Sequence, residues 1–569
     1  MWLLIWAFSI PVVAGLTTAA AQPKAPRIVN IVNFIRGVEP REPVDLYEPV
    51  VRQIHLAHTH GLPTTFLIQY DALIQDRFVQ LLKKELTGDD EIGAWLEIVQ
   101  PQVEAAGLKW RGRFPWDWHT DVGFTIGYTP AEREKLIDEY MRAFVHAFGR
   151  RPRSVGCWLI DAHTLTYLSD RYGVTAACIC KDQTGTDGYT LWGGYWNQAY
   201  YPSRLNAYMP AQDPIRQIPV PVFRMLGSDP IDQYDNGLGE AAQGVVTLEP
   251  VYTGGTGGGG VPAWVRWFLD LQTSTPCLAF AYTQAGQENS FGWPAMEKGL
   301  TDQVKRLAEL SQTGQIRVET LGQSGQWFKN TFPQTPATAV TALHDMKGRE
   351  RGSVWYNSRF YRTNLFWDEN GLRIRDIHVF DEHYPERYLN QRVTTHAAVY
   401  DTLPVIDGFT WSTREARAGA RPVRVSPDGK TLPMTTGTPE VTEQEEDALE
   451  ISVPLTGGGR LTVRCQPERM LLQTEPGTPT SWALEMSWAP EKKPPIERVE
   501  DGAVLYRHNG FAYRQWLSKG RFRAQPGQPR IILEAQEGVL KLELKNTKEV
   551  DAAIGPRSRW GAAGPDADR

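Results

Sequence analysis

From residue 27 to about residue 323, short apolar runs alternate with stretches in which apolar positions recur every three or four residues. The runs at 28–34, 64–70, 91–97, 154–161, 175–180, 222–226, 245–252, 277–283 and 316–321 are predicted strands. Helical periodicity covers 45–58, 73–86, 130–148, 164–171, 262–271 and 295–310. Regular strand–helix alternation predicts parallel strands under covering helices. Seven or eight such units over about 300 residues suit a closed barrel better than an open sheet. Past residue 323 the period shortens to two: the runs at 352–356, 374–379, 449–453, 460–464, 471–473, 482–487 and 531–544 are separated by Gly, Pro and Asp. That predicts an all-β domain of sandwich type. The acidic stretch 441–447 reads as a solvated loop. The expected fold class is α/β: a (β/α) barrel of seven or eight units over 25–325, a β-sandwich-like domain over 335–548, and a flexible tail over 549–569.

Composition narrows the chemistry. A net charge of −6 gives no reason to expect nucleic acid as a partner. Residues 1–21 form an apolar run ending in an A-x-A pattern at Ala19 and Ala21, the mark of a secretory signal without basic residues at its start. The mature protein is therefore expected outside the cytoplasm, secreted or periplasmic, and free of the membrane once cleaved. Four of the five cysteines (Cys157, Cys178, Cys180 and Cys277) lie in strand-like runs, which suits buried thiols; a Cys178–Cys180 or Cys157–Cys178 bridge is the alternative. The 20 tryptophans point to carbohydrate as the first substrate class, since flat indole faces suit sugar rings.

Two stretches carry a family resemblance. His60-Gly-Leu-Pro-Thr-Thr-Phe-Leu-Ile-Gln-Tyr70, a helix, and then Asp90-Glu-Ile-Gly-Ala-Trp95 resemble the second and third strands of polysaccharide deacetylases, which implies a distorted (β/α) barrel. That family binds a metal through an Asp after its first strand and His residues near its third. Ile35, Arg36 and Trp95 occupy those positions here, and Trp offers no ligand. His55, His58 and His60 sit at the end of the helix before the second strand, away from the catalytic rim, so no metal or cofactor is expected. The same superfamily includes glycoside hydrolase family 57, whose nucleophile ends a strand reading G-x-W-x-x-E. Gly156-Cys-Trp158-Leu-Ile-Asp161 is similar in spacing, with Asp in place of Glu. Gln287-Glu288-Asn289-Ser290-Phe291-Gly292-Trp293 resembles that family's acidic motif D-x-E-x-F-G-H-W in outline, with Gln287 and Asn289 at the acid positions. The whole chain also resembles an uncharacterised bacterial family of glycoside hydrolase/deacetylase type.

Hydrolysing a glycosidic bond takes two carboxyl groups, an acid for the leaving oxygen and a nucleophile or base. Asp161, Glu288 and Glu97 stand at predicted strand ends and are the expected catalytic residues, with Asp161 as nucleophile or base and Glu288 as acid. Asp161 equally suits the cap of the following helix. The long loop 181–201 offers stacking faces in Trp192, Tyr195 and Trp196 and polar groups in Asp182, Asp187 and Asn197. Packing by its own aromatics is the other reading of this loop. Arg224 is expected to meet a substrate carboxylate or to pair with Asp229 or Asp232; Glu249 and Trp293 complete the expected sugar-binding set. No G-x-S-x-G elbow or phosphate-binding loop is present. The expected function is a metal-independent glycoside hydrolase. A non-catalytic carbohydrate-binding protein and a deacetylase with relocated metal ligands are the alternatives.

Overall fold

The computed structural model describes residues 25–253, 257–274, 276–426, 430–476, 481–525 and 527–546. The expected signal and the expected tail lie outside the described residues. Among the described residues, no helix is long and apolar enough to cross a membrane.

The first half is a mixed α/β unit around a nearly closed parallel sheet. Its strands are β1 (Arg27–Ile35), β2 (Thr65–Ile68), β3 (Glu91–Trp95), β4 (Ser154–Gly156), β5 (Ala176–Ile179), β6 (Tyr189–Trp192), β7 (Ala199–Tyr200), β8 (Val222–Arg224), β9 (Ala281–Ala285) and β10 (Arg317–Glu319). The parallel order is β1-β2-β3-β4-β5-β8, with β9 and β10 both paired to β1 and β7 antiparallel at the far edge. All nine residues of β1 are buried, as in a strand covered on both faces. Helices α1 (Glu48–Thr59), α2 (Tyr70–Leu73), α3 (Asp76–Glu85), α4 (Gln100–Ala105), α5 (Pro130–Phe148), α6 (Ala162–Tyr172), α7 (Pro262–Thr273), α8 (Trp293–Gln312) and α9 (Leu321–Thr331) lie between or after the strands.

The expected complete (β/α) barrel is not formed. The run at 245–252 is irregular, joined to the sheet region by one isolated bridge between Ser228 and Thr247. Its backbone turns away at Leu248, whose N–H reaches Leu226 O, and Pro250 lies in the turn that follows. Between β7–β8 and β9 a side chain takes the place of a strand. The Gln198 amide accepts from Tyr282 N–H at 2.9 Å and donates to Tyr282 O at 3.3 Å. The strand expected at 316–321 is also shorter than its run. Thr320 and Gln323 form a capping box that starts α9, so the barrel-side chain continues as helix past the expected boundary at 325.

The second half holds a ten-stranded and an eight-stranded antiparallel sheet, whose buried residues, such as Leu365, Met486, Val463 and Leu542, belong to one apolar cluster. The acidic stretch read as a loop is an edge strand, Glu440–Glu445, paired with Ala448–Pro454. Its run of acidic and polar residues had hidden it; glutamates on an exposed edge discourage pairing with another chain. The halves are joined by more than the linker: β6 pairs in parallel with Ala398–Asp401. All five cysteines are buried, and neither the Cys178–Cys180 nor the Cys157–Cys178 bridge forms.

Candidate active site

Barrel enzymes place chemistry at the C-terminal ends of their strands, and a cleft of about 500 Å³ opens there. A larger cavity, about 650 Å³, lies beside the starts of β2 and β3, at the end that barrel enzymes leave to stability. The upper cleft centres on Arg36, the residue directly after β1. Its guanidinium grips Glu97 through Nε to Oε2 and Nη2 to Oε1, both at 2.9 Å, while Nη1 lies 3.0 Å from Glu288 Oε2. The ring of Trp116 lies 4.2 Å below the guanidinium carbon. One shared cation therefore holds the two carboxyl groups on either side of a single guanidinium.

The loop carrying Glu288 is fixed to the end of β1. Asn289 Oδ1 accepts from Arg36 N–H at 2.9 Å and its Nδ2 donates to Arg36 O and Leu46 O. Gly286 makes the approach feasible: at φ +109 it lies so close to β1 that a Cβ would stand 2.1 Å from Val32 O. Asn289, at an acid position of the resembled motif, is thus a staple. Glu288 is the residue this loop delivers to the cleft.

The carboxyl groups meet different surroundings. Glu97 accepts from Arg36, from the indoles of Trp95 and Trp158 at 2.8 Å, and from Gln69 at 3.4 Å. Both its oxygens are occupied. Glu288 accepts from Ser290 Oγ at 2.8 Å. Burial pushes its carboxyl upward; Arg36 opposes this and the Glu97 charge adds to it. Among the described residues Glu249 pairs with no cation; its Oε2 accepts from Thr247 Oγ1 at 2.7 Å. Burial pushes it to about 7, with Thr247 and Lys181 opposing and Glu288 and Asp187 reinforcing the rise. Lys181, 1% exposed on the cleft wall, is held below its usual range by burial. Trp116, Trp118, Trp158, Tyr189, Tyr252 and Phe291 form the aromatic walls.

Of the expected site residues, Glu97, Glu288, Glu249 and Asp187 line this cleft together, Asp187 as an exposed residue at φ +55 on its lip. The others lie elsewhere. Asp161 is fully buried and caps α6, accepting from Thr164 N–H at 2.8 Å and pairing with Arg133 at 2.9 Å. Burial would raise it, but Arg133 and the hydroxyls of Thr125 and Thr164 outweigh burial and hold it below the usual carboxylate range. The strand thus presents Trp158 to the cleft rather than its terminal carboxylate. Asp182 is buried between Arg224, at 2.8 Å, and Arg362 from the second half, and also accepts from Tyr208 Oη. Arg224 accordingly pairs with neither Asp229 nor Asp232. Trp192 donates to Asp407 at 2.9 Å, Tyr195 to Pro336 O at 2.8 Å, and Trp196 stacks on Trp355 with centroids 4.2 Å apart. Asn197 donates to Ser228 O. Trp293 is buried in the apolar cluster beneath α8. Trp192, Tyr195 and Trp196 are therefore packing between the two halves rather than stacking faces for sugar, while the start of the loop, from Lys181 to Tyr189, lines the cleft.

Lys181 and Trp158 are cleft residues to which the sequence reading gave no role. Their signal was position: each follows or ends a predicted strand. The positions at which deacetylases hold metal do not fit one. Arg36 brings a cation there, and Trp95 is stacked on Phe34 at 4.0 Å with its N–H given to Glu97.

No family model and no curated protein matches the chain. Among solved structures, a candidate glycoside hydrolase/deacetylase from Parabacteroides distasonis superposes with a TM-score of 0.50 at 15% identity, over 71% of this chain and 93% of that one. A candidate polysaccharide deacetylase from Mycobacterium smegmatis gives a TM-score of 0.33 at 12% identity, over 56% and 96% of the respective chains. An allantoinase gives 0.34 at 14%, over 55% and 94%. The likeness to the Parabacteroides structure is one of fold.

Proposed function

We propose that the protein is a metal-independent glycoside hydrolase acting on an extracytoplasmic glycan, with Glu249 as general acid and Glu288 as nucleophile or general base. The observation that carries this reading is the unequal surroundings of two buried carboxyl groups in one aromatic-walled cleft. Glu288 abuts the Arg36 cation, whereas Glu249 meets a hydroxyl and is pushed to about 7. Burial raises both carboxyls, but at Glu288 the adjacent Arg36 cation opposes the rise, and unequal surroundings of this kind are how two carboxyls come to divide acid and base roles. Glu249 gives its proton to the glycosidic oxygen as the bond to the anomeric carbon breaks. Glu288 attacks that carbon, or takes a proton from the water that does. Glu97 and Trp158 position Arg36, and the indole faces hold the sugar. Of the two families that the sequence resembles, family 57 works through carboxylates, and the donor set after β1 and at Trp95 suits that chemistry rather than a metal. The extracytoplasmic setting rests on residues 1–21.

The test is a panel of oligosaccharides and polysaccharides incubated with the purified protein, with new reducing ends and released acetate measured together. Reducing ends without acetate are expected. Acetate alone would assign the chain to deacetylation, and binding with neither product would make it a carbohydrate-binding protein.

A further inference from the structure

On the rim of the cleft, two segments distant in sequence bring two imidazoles and a carboxylate together. His119 and Asp121 come from the loop between α4 and α5, and His396 from the segment of the second half that crosses this loop. Donor atoms of the three residues all lie within 4.8 Å of one another. His396 Nδ1 is 3.1 Å from Asp121 Oδ1, and the rings of His119 and His396 lie face to face with centroids 3.8 Å apart. We propose that His119, Asp121 and His396 form a site for a borderline divalent cation of the zinc, nickel or cobalt class, which fastens the rim of the cleft.

The donor chemistry fits that class. Two imidazoles and one carboxylate suit borderline first-row ions, while calcium and magnesium call for more oxygen donors. At metal–donor distances of about 2.0–2.2 Å, two ligands of a tetrahedral ion stand roughly 3.3 Å apart. The Asp121–His396 pair is already at that spacing, and the remaining donor pairs lie within 4.8 Å of one another. With three protein ligands, a fourth position stays open to water.

The backbone around the three residues is tied down. Thr120 Oγ1 donates to Thr395 O at 3.0 Å, so the residues flanking the ligands are joined across the two segments. Val393 N–H, shortly before His396, donates to Ile126 O, shortly after Asp121, at 2.8 Å. The turn at 119–123 closes through Gly123 N–H to His119 O at 2.8 Å. Asp117, which pairs with Arg113, accepts from His119 N–H at 3.2 Å and so fixes the backbone at His119.

Two cleft-lining pieces lean on this cluster. Trp118 immediately precedes His119, and Gly188, next to Asp187, lies so near His396 that a Cβ there would stand 2.9 Å from its carbonyl oxygen. A cation bound here would set the position of the Trp118 face and of the Asp187 lip together. It acts on the walls of the cleft, away from Glu249 and Glu288, so the site stands or falls independently of the proposed hydrolysis.

Titration of the full, chelator-treated chain with zinc and with cobalt, followed by calorimetry and by the visible spectrum of the cobalt form, tests the site. One equivalent is expected to bind, with a cobalt spectrum of low coordination number. His396 is 69% exposed at its side chain, so His396→Ala removes a ligand at little risk to folding. It should weaken binding by more than roughly tenfold, and His119→Ala should do the same, while Glu249→Gln binds as the parent does. No binding by the parent, or equal binding by parent and His396→Ala, overturns the proposal.

Discussion

The indole N–H of Trp158 donates to Glu97 Oε1 at 2.8 Å, so a tryptophan two residues past the end of β4 fixes one arm of the carboxylate that grips Arg36. Trp158 is also edge-on to Trp95 at 5.3 Å, and Trp95 gives its own N–H to the other oxygen. The arrangement holds Arg36 at a set distance from Glu288. Trp158→Phe keeps most of the ring but removes the donor. A hydrogen bond to a charged group contributes about 1.5–3 kcal/mol, so a loss of stability in that range is expected in urea unfolding. On a confirmed substrate kcat should fall more than KM rises, because the displaced group is the one that orients the cation beside Glu288. An unchanged kcat would show that Glu97 holds Arg36 without help from Trp158.

Glu249→Gln and Glu288→Gln should each lower kcat by about 10²–10⁴-fold, the usual worth of a positioned acid or base. They are distinguished by pH. The parent requires a proton on Glu249, which is held to about 7, so its rate should decline as pH rises through 7. The Glu249→Gln variant has no such proton to lose, and its residual rate should lack that limb. A parent profile flat between pH 6 and 8.5 would remove Glu249 from the acid role.

Asp161→Asn tests the cap reading of the stretch that most resembles a catalytic strand. Its partner Arg133 has no exposed side-chain surface and also bonds the carbonyls of Thr125, Tyr128, Tyr388 and Gln391. Removing one member of a buried pair strands the other, at a cost of about 3–5 kcal/mol. The variant should unfold at lower denaturant concentration, yet the molecules that remain folded should turn over substrate at a rate near the parent's. A stable variant without activity would restore Asp161 to the chemistry.

Much of the barrel was legible because its signals are local. The helix predicted at 130–148 is α5, residue for residue: Thr129 and Glu132 form a capping box, Pro130 opens the first turn, and Gly149 at φ +69 closes the last. Glu97 and Glu288 could be placed in the cleft because each follows a strand end. Asp161 could not be excluded, since a strand-end Asp before a helix looks alike as cap or nucleophile; the partner that decides, Arg133, lies in another helix. The loop 181–201 was misread for a similar reason. Trp196 has the composition of a sugar platform, but Trp355, which covers it, belongs to the second half of the chain. Trp196→Ala should consequently cost about 3–5 kcal/mol, as large aromatic truncations in cores do, and leave glycan affinity of the folded protein nearly unchanged.

Glu386 gives the fold a dependence on pH that the proposed reaction does not use. Its two oxygens accept from the backbone N–H groups of Ala162 and Ala207, both at 2.9 Å, beside Asp161 at the start of α6. Burial, and after it the charge of Asp161, pushes this carboxyl to about 8, with the two backbone donors and Arg133 opposing. Because its folded value is raised, the folded protein holds a proton that the unfolded chain gives up near pH 4.5. The stabilising contribution is complete below about pH 4.5 and is lost progressively until pH passes 8. One proton corresponds to at most about 1.4 kcal/mol per pH unit across that window. Other buried acids such as Asp71, raised to about 7, add to the total slope, so the comparison has to be between parent and Glu386→Gln. The variant carries no ionisable group there and should show the shallower decline in unfolding free energy between pH 5 and 8, with the two curves parallel above pH 8.5. Identical slopes for the two proteins would mean that Glu386 is ionised in the fold and that its two backbone donors outweigh its burial.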